Sequence, residues 1–291
     1  MKYTNMWAGS AAIASALLMV FAITAIAGDE SFLDVTLDVQ NSIPTITSMV
    51  ITSASYDPVE DDNSTVTVNI NVTDQNGVSN LDNGKVYIYV DDAATFVAPV
   101  NAYTRKCVPT HNWTSTKRQY RCQTDLRFFD AAGTYSTNIT AGDTQYTVWN
   151  NTGTNAPTFT YTTLLAFNIS SQTVGFNTPA VGVVNYPSVN NPTVLQNTGN
   201  ADLYLNVTGA NLVGASHTFN IGNFSVSLDS TPTAEQVLST ASQQINVTGT
   251  RAQMLRGAAS LEDLYWFVDV PVGTAMDSYT SSAWLLKVYE Q

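Results

Sequence analysis

Few side chains in this 291-residue chain could carry chemistry: two histidines, two cysteines and five glutamates among 23 acidic residues. Nucleophilic catalysis needs a base beside a Ser or Cys and a carboxylate that orients the base. His111 lies between the two cysteines beside an Asn-x-Thr triplet, and His217 sits in a turn-like Gly-Ala-Ser-His-Thr stretch, so both read as exposed loop residues. No short-range pattern of Glu and Asp nominates a glycosidase pair, and the expectation is a protein that is not an enzyme. Metal chemistry is limited to oxygen ligands, which suit Ca2+. Asp57, Glu60, Asp61 and Asp62 form the densest acidic loop. Asp91 and Asp92 would join them if both segments meet at one end of a domain; the alternative is a set of solvated turns. Asp74-Gln-Asn76-Gly opens like a calcium loop but lacks the third ligand position and the distal Glu, which excludes an EF-hand. Calcium is thus the one candidate cofactor.

Cys107 and Cys122 are the only thiols. In an exported chain the default is a disulfide, and without a CxxC pattern its role is that of a staple. Around it, Arg105, Lys106, Lys117, Arg118, Arg121 and Arg127 concentrate positive charge in a chain whose net charge is −12. Such an acidic balance excludes a nucleic-acid binder, which needs clustered Lys and Arg over much of its surface. The basic hairpin either steers an acidic partner, such as a second copy or an anionic glycan, or serves as a solubilising loop.

Export is expected from the first residues. Lys2, the apolar stretch Ala11 to Ile26 and the small-x-small triplet Ala25-Ile26-Ala27 match a secretory signal, so that the mature chain begins at Gly28. The competing reading is an uncleaved anchor, because Trp7 to Ala27 is long enough to span a bilayer. Nine Asn-x-Ser/Thr sequons, at Asn63, Asn71, Asn112, Asn138, Asn150, Asn168, Asn206, Asn223 and Asn246, fit a chain outside the cell and are candidate N-glycosylation sites.

The elements that must position these residues are strands. Ser, Thr and Asn dominate the polar residues, and Asp outnumbers Glu 18 to 5, a bias that suits extended segments joined by turns. Phe32 to Gln40 alternates most cleanly, with Leu33, Val35, Leu37 and Val39 on one face and Asp34, Thr36 and Asp38 on the other. Thr45 to Ala54, Ser64 to Thr73 and Lys85 to Asp91 continue the pattern, broken by Pro44 and by turns at Asp57-Pro58, Asn76-Gly77 and Asn83-Gly84. Tyr146 to Trp149 and Thr158 to Ile169 close the first half. In the second half, Thr233 to Ser242 and Arg251 to Leu255 are compatible with short helical turns. Asp130-Ala-Ala-Gly-Thr-Tyr135 has the spacing of a tyrosine corner, or is an ordinary turn with a core Tyr.

The turn Asn197-Thr-Gly-Asn200, the strand Leu264-Tyr-Trp266 running into Val270-Pro-Val-Gly-Thr274, and a final Tyr279-led strand resemble the immunoglobulin-like modules of archaeal cell-surface and S-layer-type glycoproteins. Val68 to Asp74 and Val86 to Val90 carry the same likeness in the first half. The resemblance implies an all-β chain with two tandem immunoglobulin-like β-sandwich domains after an N-terminal signal peptide. It divides the chain into 1–27 as signal peptide, 28–167 as the first sandwich and 168–291 as the second. It further implies an exported structural or adhesive role and brings no catalytic residues.

The apolar face of Leu33, Val35, Leu37 and Val39 either completes its own domain or fills a gap in a neighbour by strand donation, with Asn41-Ser42 before Pro44 as the hinge. The expected function is a secreted subunit of an extracellular filament or cell-surface array whose main partner is itself. Leu33, Val35, Leu37, Val39 and the basic residues Arg105, Lys106, Lys117, Arg118 and Arg121 are the expected subunit contacts. The alternative is a surface adhesin or glycan-binding module, in which Trp113, Trp149 or Tyr103 would stack on sugars and the partners would be glycans or other surface glycoproteins.

Overall fold

The computed structural model describes residues 36–91, 103–149, 157–232, 234–258 and 260–291. The expected signal peptide, Leu33, Val35, Asp92, Asn150 and the side chain of Tyr103 lie outside the described residues. The described residues are nearly all β, with several separate sheets and two short 3-10 turns, Asn83–Lys85 and Ile221–Asn223. No helix among the described residues is long and apolar enough to cross a membrane.

The first half runs through β1 (Thr45–Ile51), β2 (Ser55–Tyr56), β3 (Asn63–Thr73), β4 (Tyr87–Asp91), β5 (Tyr103–Lys106), β6 (Val108–Asn112), β7 (Lys117–Arg127), β8 (Gly133–Gly142), β9 (Thr147–Trp149) and β10 (Thr158–Tyr161). A 4-stranded sheet has the order β1-β3-β7-β6, and a 6-stranded sheet the order β2-β10-β8-β4-β5 with β9 beside β8. The alternation read in Ser64 to Thr73 is realised here. Val66, Val68, Ile70 and Val72 of β3 and Tyr120, Cys122 and Leu126 of β7 are buried in one core with Ile88, Val90, Ile139 and Tyr161 from the other sheet and with Val86 just before β4. Their polar neighbours face outward, because successive side chains of a strand point to opposite faces.

The same half shows how the chain passes from one sheet to the other. β5 pairs with β4 in the 6-stranded sheet, β6 pairs with β7 in the 4-stranded sheet, and Cys107 stands alone between them. Its N–H donates to the Val86 carbonyl at 2.9 Å, and its sulfur is joined to Cys122 of β7. Both rims of the 4-stranded sheet are irregular. The register of β1 against β3 shifts between Ile46 and Ser48, and that of β6 against β7 shifts between Pro109 and His111.

The second half contains β11 (Phe167–Ile169), β12 (Tyr186–Pro187), β13 (Thr193–Asn197), β14 (Leu203–Thr208), β15 (Leu212–Val213), β16 (Thr218–Phe219), β17 (Phe224–Ser227), β18 (Gln236–Val237), β19 (Gln243–Gln244), β20 (Asn246–Val247), β21 (Thr250–Arg251), β22 (Gln253–Met254), β23 (Leu261–Val268), β24 (Thr280–Ser281) and β25 (Leu285–Glu290). One sheet has the order β11-β13-β23-β17-β18; a second is built on β14, which pairs with β19 and β22 on one side and β25 on the other. Leu195, Leu203, Leu205, Val226, Leu264 and Trp266 are at the centre of their shared core.

Three expectations change. Thr158 to Ile169 is not one run: β10 ends at Tyr161, and Phe167, placed at the end of the first domain, starts β11 and packs on the second core. The helical turns expected in Thr233 to Ser242 and Arg251 to Leu255 are replaced by short strands: Val237 is exposed while its neighbour Leu238 is buried, and Ala252 and Met254, two residues apart, both enter the core, which is strand rather than helix period. Thr36 to Gln40, part of the cleanest alternation in the sequence, forms no strand; alternation specifies which face is apolar and leaves the pairing partner open.

Tyr135, near the start of β8, donates its hydroxyl to the Ala131 carbonyl at 2.8 Å, which is the tyrosine-corner geometry. Tyr279 does the same to Ala275 at 2.9 Å, with the same spacing, in the second half.

Candidate assembly surface

The exposed apolar tail is the first component. Leu37 is 84% and Val39 75% exposed, an unfavourable state for side chains whose burial stabilises by roughly 1.5–3 kcal/mol each. The chain that follows is tied down by hydrogen bonds. Asn41 donates to the Asp143 carboxylate at 2.8 Å and accepts from Asn80 at 2.7 Å. The Ser42 N–H and hydroxyl both donate to Asn76, and the hydroxyl also reaches Asp74 at 3.2 Å. Asn41-Ser42, expected as a hinge, is thus anchored by side-chain hydrogen bonds to the body of the first half. The calcium-like opening at Asp74 is explained by the same network: Asp74 is buried and accepts from the Asn76 N–H at 2.8 Å and from Asn80 at 3.1 Å.

Burial pushes the Asp143 carboxyl up. The N–H groups of Tyr146 and Gln145, the Asn41 amide and the nearby Lys85 charge outweigh it and hold the group below the usual carboxylate range. A depressed carboxyl contributes stability that is fully present above its unfolded value and lost as pH falls through the lower folded one. Acidification below about pH 4 should therefore loosen this anchor, seen as faster amide exchange at Gln145 and Tyr146. Asp143→Asn should remove that pH dependence.

The basic residues are the second component, and strand alternation disperses them. Lys117 and Arg121 lie on the outer face of β7, opposite Thr73 and Asn69. Arg118 turns the other way, donating to Asn112 at 2.8 Å and Asn83 at 3.1 Å, where Tyr120 also donates at 2.8 Å. Burial raises that phenol's pKa, and Arg118 opposes the rise. Arg105 is 3.8 Å from Asp125, and Arg127 is 3.0 Å from buried Asp130. Lys106 stands opposite Tyr87 on the outer face of the other sheet. Six cations close in sequence thus reach two sheets, several of them already engaged.

The acidic loop also fails to converge. Asp57 accepts from Thr162 at 2.7 Å, Glu60 from Thr198 at 2.6 Å, and Asp62 from the Asn63 N–H at 2.7 Å, while Asp61 occupies a left-handed backbone position. Asp91 closes β4 on a different strand from these. Among the described residues no group of three or more His, Cys, Asp or Glu side chains is placed to hold a metal.

Of the sequons, Asn63, Asn112, Asn168 and Asn246 are exposed, and Asn71, Asn206 and Asn223 are half-buried. Asn138 is 1% exposed in the middle of β8, with its amide nitrogen unpartnered, so that side chain is not on the surface as the sequon suggests. Asn71 is held through its amide by Ser48 at 2.8 Å. The aromatic candidates separate as well. Trp113, 57% exposed, meets His111 edge-on beyond β6, and Trp149 in β9, 42% exposed, lies with its ring against Tyr89.

His217 faces Asp277 at 3.7 Å, and the N–H groups of Ala215, Ser216 and Ser278 hold that carboxyl below its usual range. The pair ties the loop between β15 and β16 to the segment before β24. Sequence reasoning passed over the Asn197–Asn200 turn as a functional element. In the structure its Asn200 side chain accepts from the Leu164 N–H at 2.6 Å and donates to the Thr162 carbonyl at 2.8 Å, joining the halves.

No protein-family model matches the chain, and no curated protein matches it.

Proposed function

We propose that the chain is an exported, non-enzymatic structural subunit of an extracellular filament or cell-surface array, built from two tandem immunoglobulin-like β-sandwiches. Two cores, each shared by separate sheets, and the paired tyrosine bends support that architecture. The leader pattern, the exposed sequons and the disulfide support export.

The observation that carries the assembly reading is the tail. Leu37 and Val39 are exposed on a segment without a strand partner, rooted at Asn41 and Ser42. Of the two fates open to such an alternating segment, donation to a neighbour is favoured. Four inserted apolar side chains at roughly 1.5–3 kcal/mol each are enough to offset much of an association cost of about 4–15 kcal/mol. Deleting Gly28 to Gln40 behind an intact leader should convert assembled material into soluble monomers, measured by sedimentation and negative-stain microscopy of surface extracts. Assemblies that persist without the segment would overturn strand donation.

A further inference from the structure

We propose that the donated segment docks on the free edge of the C-terminal strand β25 of a second copy; this rests on the strand-donation reading above. β25 pairs with β14 in unbroken register from Leu203 opposite Glu290 to Thr208 opposite Leu285, and among the described residues no strand pairs with its other side. Both ends are fixed. The Trp284 indole donates to the Ala210 carbonyl at 3.0 Å, and the Gln291 N–H to the Asp202 carbonyl at 2.9 Å.

Strand edges are usually protected by prolines, bulges, charges or short length, and the other described edges have such protection. β1 and β6 carry register shifts, and β6 contains Pro109. β5 has only four residues, with Arg105 and Lys106 at its end, and β2, β11 and β18 have two, three and two. β25 has six residues, no proline and no shift.

Its two faces complement those of the tail. Leu286 and Val288 face the second core and are only half-buried, so a strand added beside them would place Leu33, Val35, Leu37 and Val39 against the same core. On the other face, Lys287 is exposed between Leu285 and Tyr289, its Nζ 5.2 Å from the Tyr289 ring centre. The tail offers Asp34 and Asp38 on its matching face and carries no Lys or Arg from Gly28 to Gln40. Opposite charges facing each other across paired strands are favourable and like charges unfavourable. A contact between the tail of one copy and β25 of the next uses two different surfaces, which generates an open chain of subunits unless the rotation closes it.

The test uses the full mature chain and reads the critical concentration for assembly at low salt. Lys287→Glu should raise it about five-fold, and Asp34→Lys with Asp38→Lys should do the same. Combining the three substitutions should return it to within about two-fold of the native chain. These positions are exposed or lie in the tail, and circular dichroism of each variant checks that the fold is kept. If Lys287→Glu assembles like the native chain, or the swapped combination fails to recover, while deletion of Gly28 to Gln40 still abolishes assembly, the acceptor edge is elsewhere and this proposal falls. If assembly survives that deletion, donation itself falls, and the β25 edge with it.

Discussion

Replacing Gly199 with valine should lower the unfolding temperature by about 10 °C, corresponding to roughly 3 kcal/mol. A Cβ at this position would lie 2.2 Å from the Leu164 carbonyl oxygen and 2.9 Å from the Ala166 nitrogen, and both are backbone atoms that cannot rotate away. The close approach exists because the turn grips the segment between the halves. The Thr198 and Asn200 N–H groups donate to the Ala166 and Leu164 carbonyls at 3.1 Å each, and the Asn200 side chain adds its own two bonds. Behind it, fully buried Asn197 accepts from the Gly199 N–H at 2.9 Å and donates to the Ala201 carbonyl at 2.8 Å. Asn200→Ala, which removes side-chain bonds and leaves room for the backbone, should cost less, about 1–2 kcal/mol. Calorimetry of the two variants separates steric from hydrogen-bonding contributions. An unchanged transition for the valine variant would mean that the turn does not hold the halves as described.

Converting both Cys107 and Cys122 to alanine should cost about 3 kcal/mol by the loop-closure argument, with a sequence separation of 15 between them. The local effect should exceed the global one. Cys107 is the only buried residue from Thr104 to Ser115, so within that stretch it is the one buried anchor at the point where the chain changes sheets. Urea denaturation gives the stability change, and amide exchange should become fastest along Val108–Asn112. Exchange that remains as slow as in the oxidised protein would show that strand pairing with β7 suffices to hold this rim.

What the sequence made legible follows period and turn chemistry. Val66 to Val72 could be assigned a buried face because every second residue is apolar, and Tyr135 could be placed at a bend because Asp130 and small residues precede it. The second bend, at Tyr279, has the same four-residue spacing to Ala275, but Thr274 stands where the first has Asp130. Elsewhere the determinants are nonlocal. Asp57 and Glu60 are near neighbours along the chain, yet each carboxylate is claimed by a threonine far away, Thr162 and Thr198. The basic residues are dispersed by an event that no local pattern announces, the change of sheets at Cys107. The short strands around Val237 and Met254 lack the length to establish a period, so helical and extended readings of them were equally consistent with composition.

The paired irregularities on the rims of the first 4-stranded sheet, at Thr47 and Thr110, have a consequence for crowded surroundings. A bent rim offers an incoming ribbon its amide groups at mismatched intervals, so copies packed side by side cannot zip laterally into a continuous cross-β layer. For a molecule concentrated at a surface, such rims confine growth to whichever contacts were shaped for it and keep neighbouring copies from fusing.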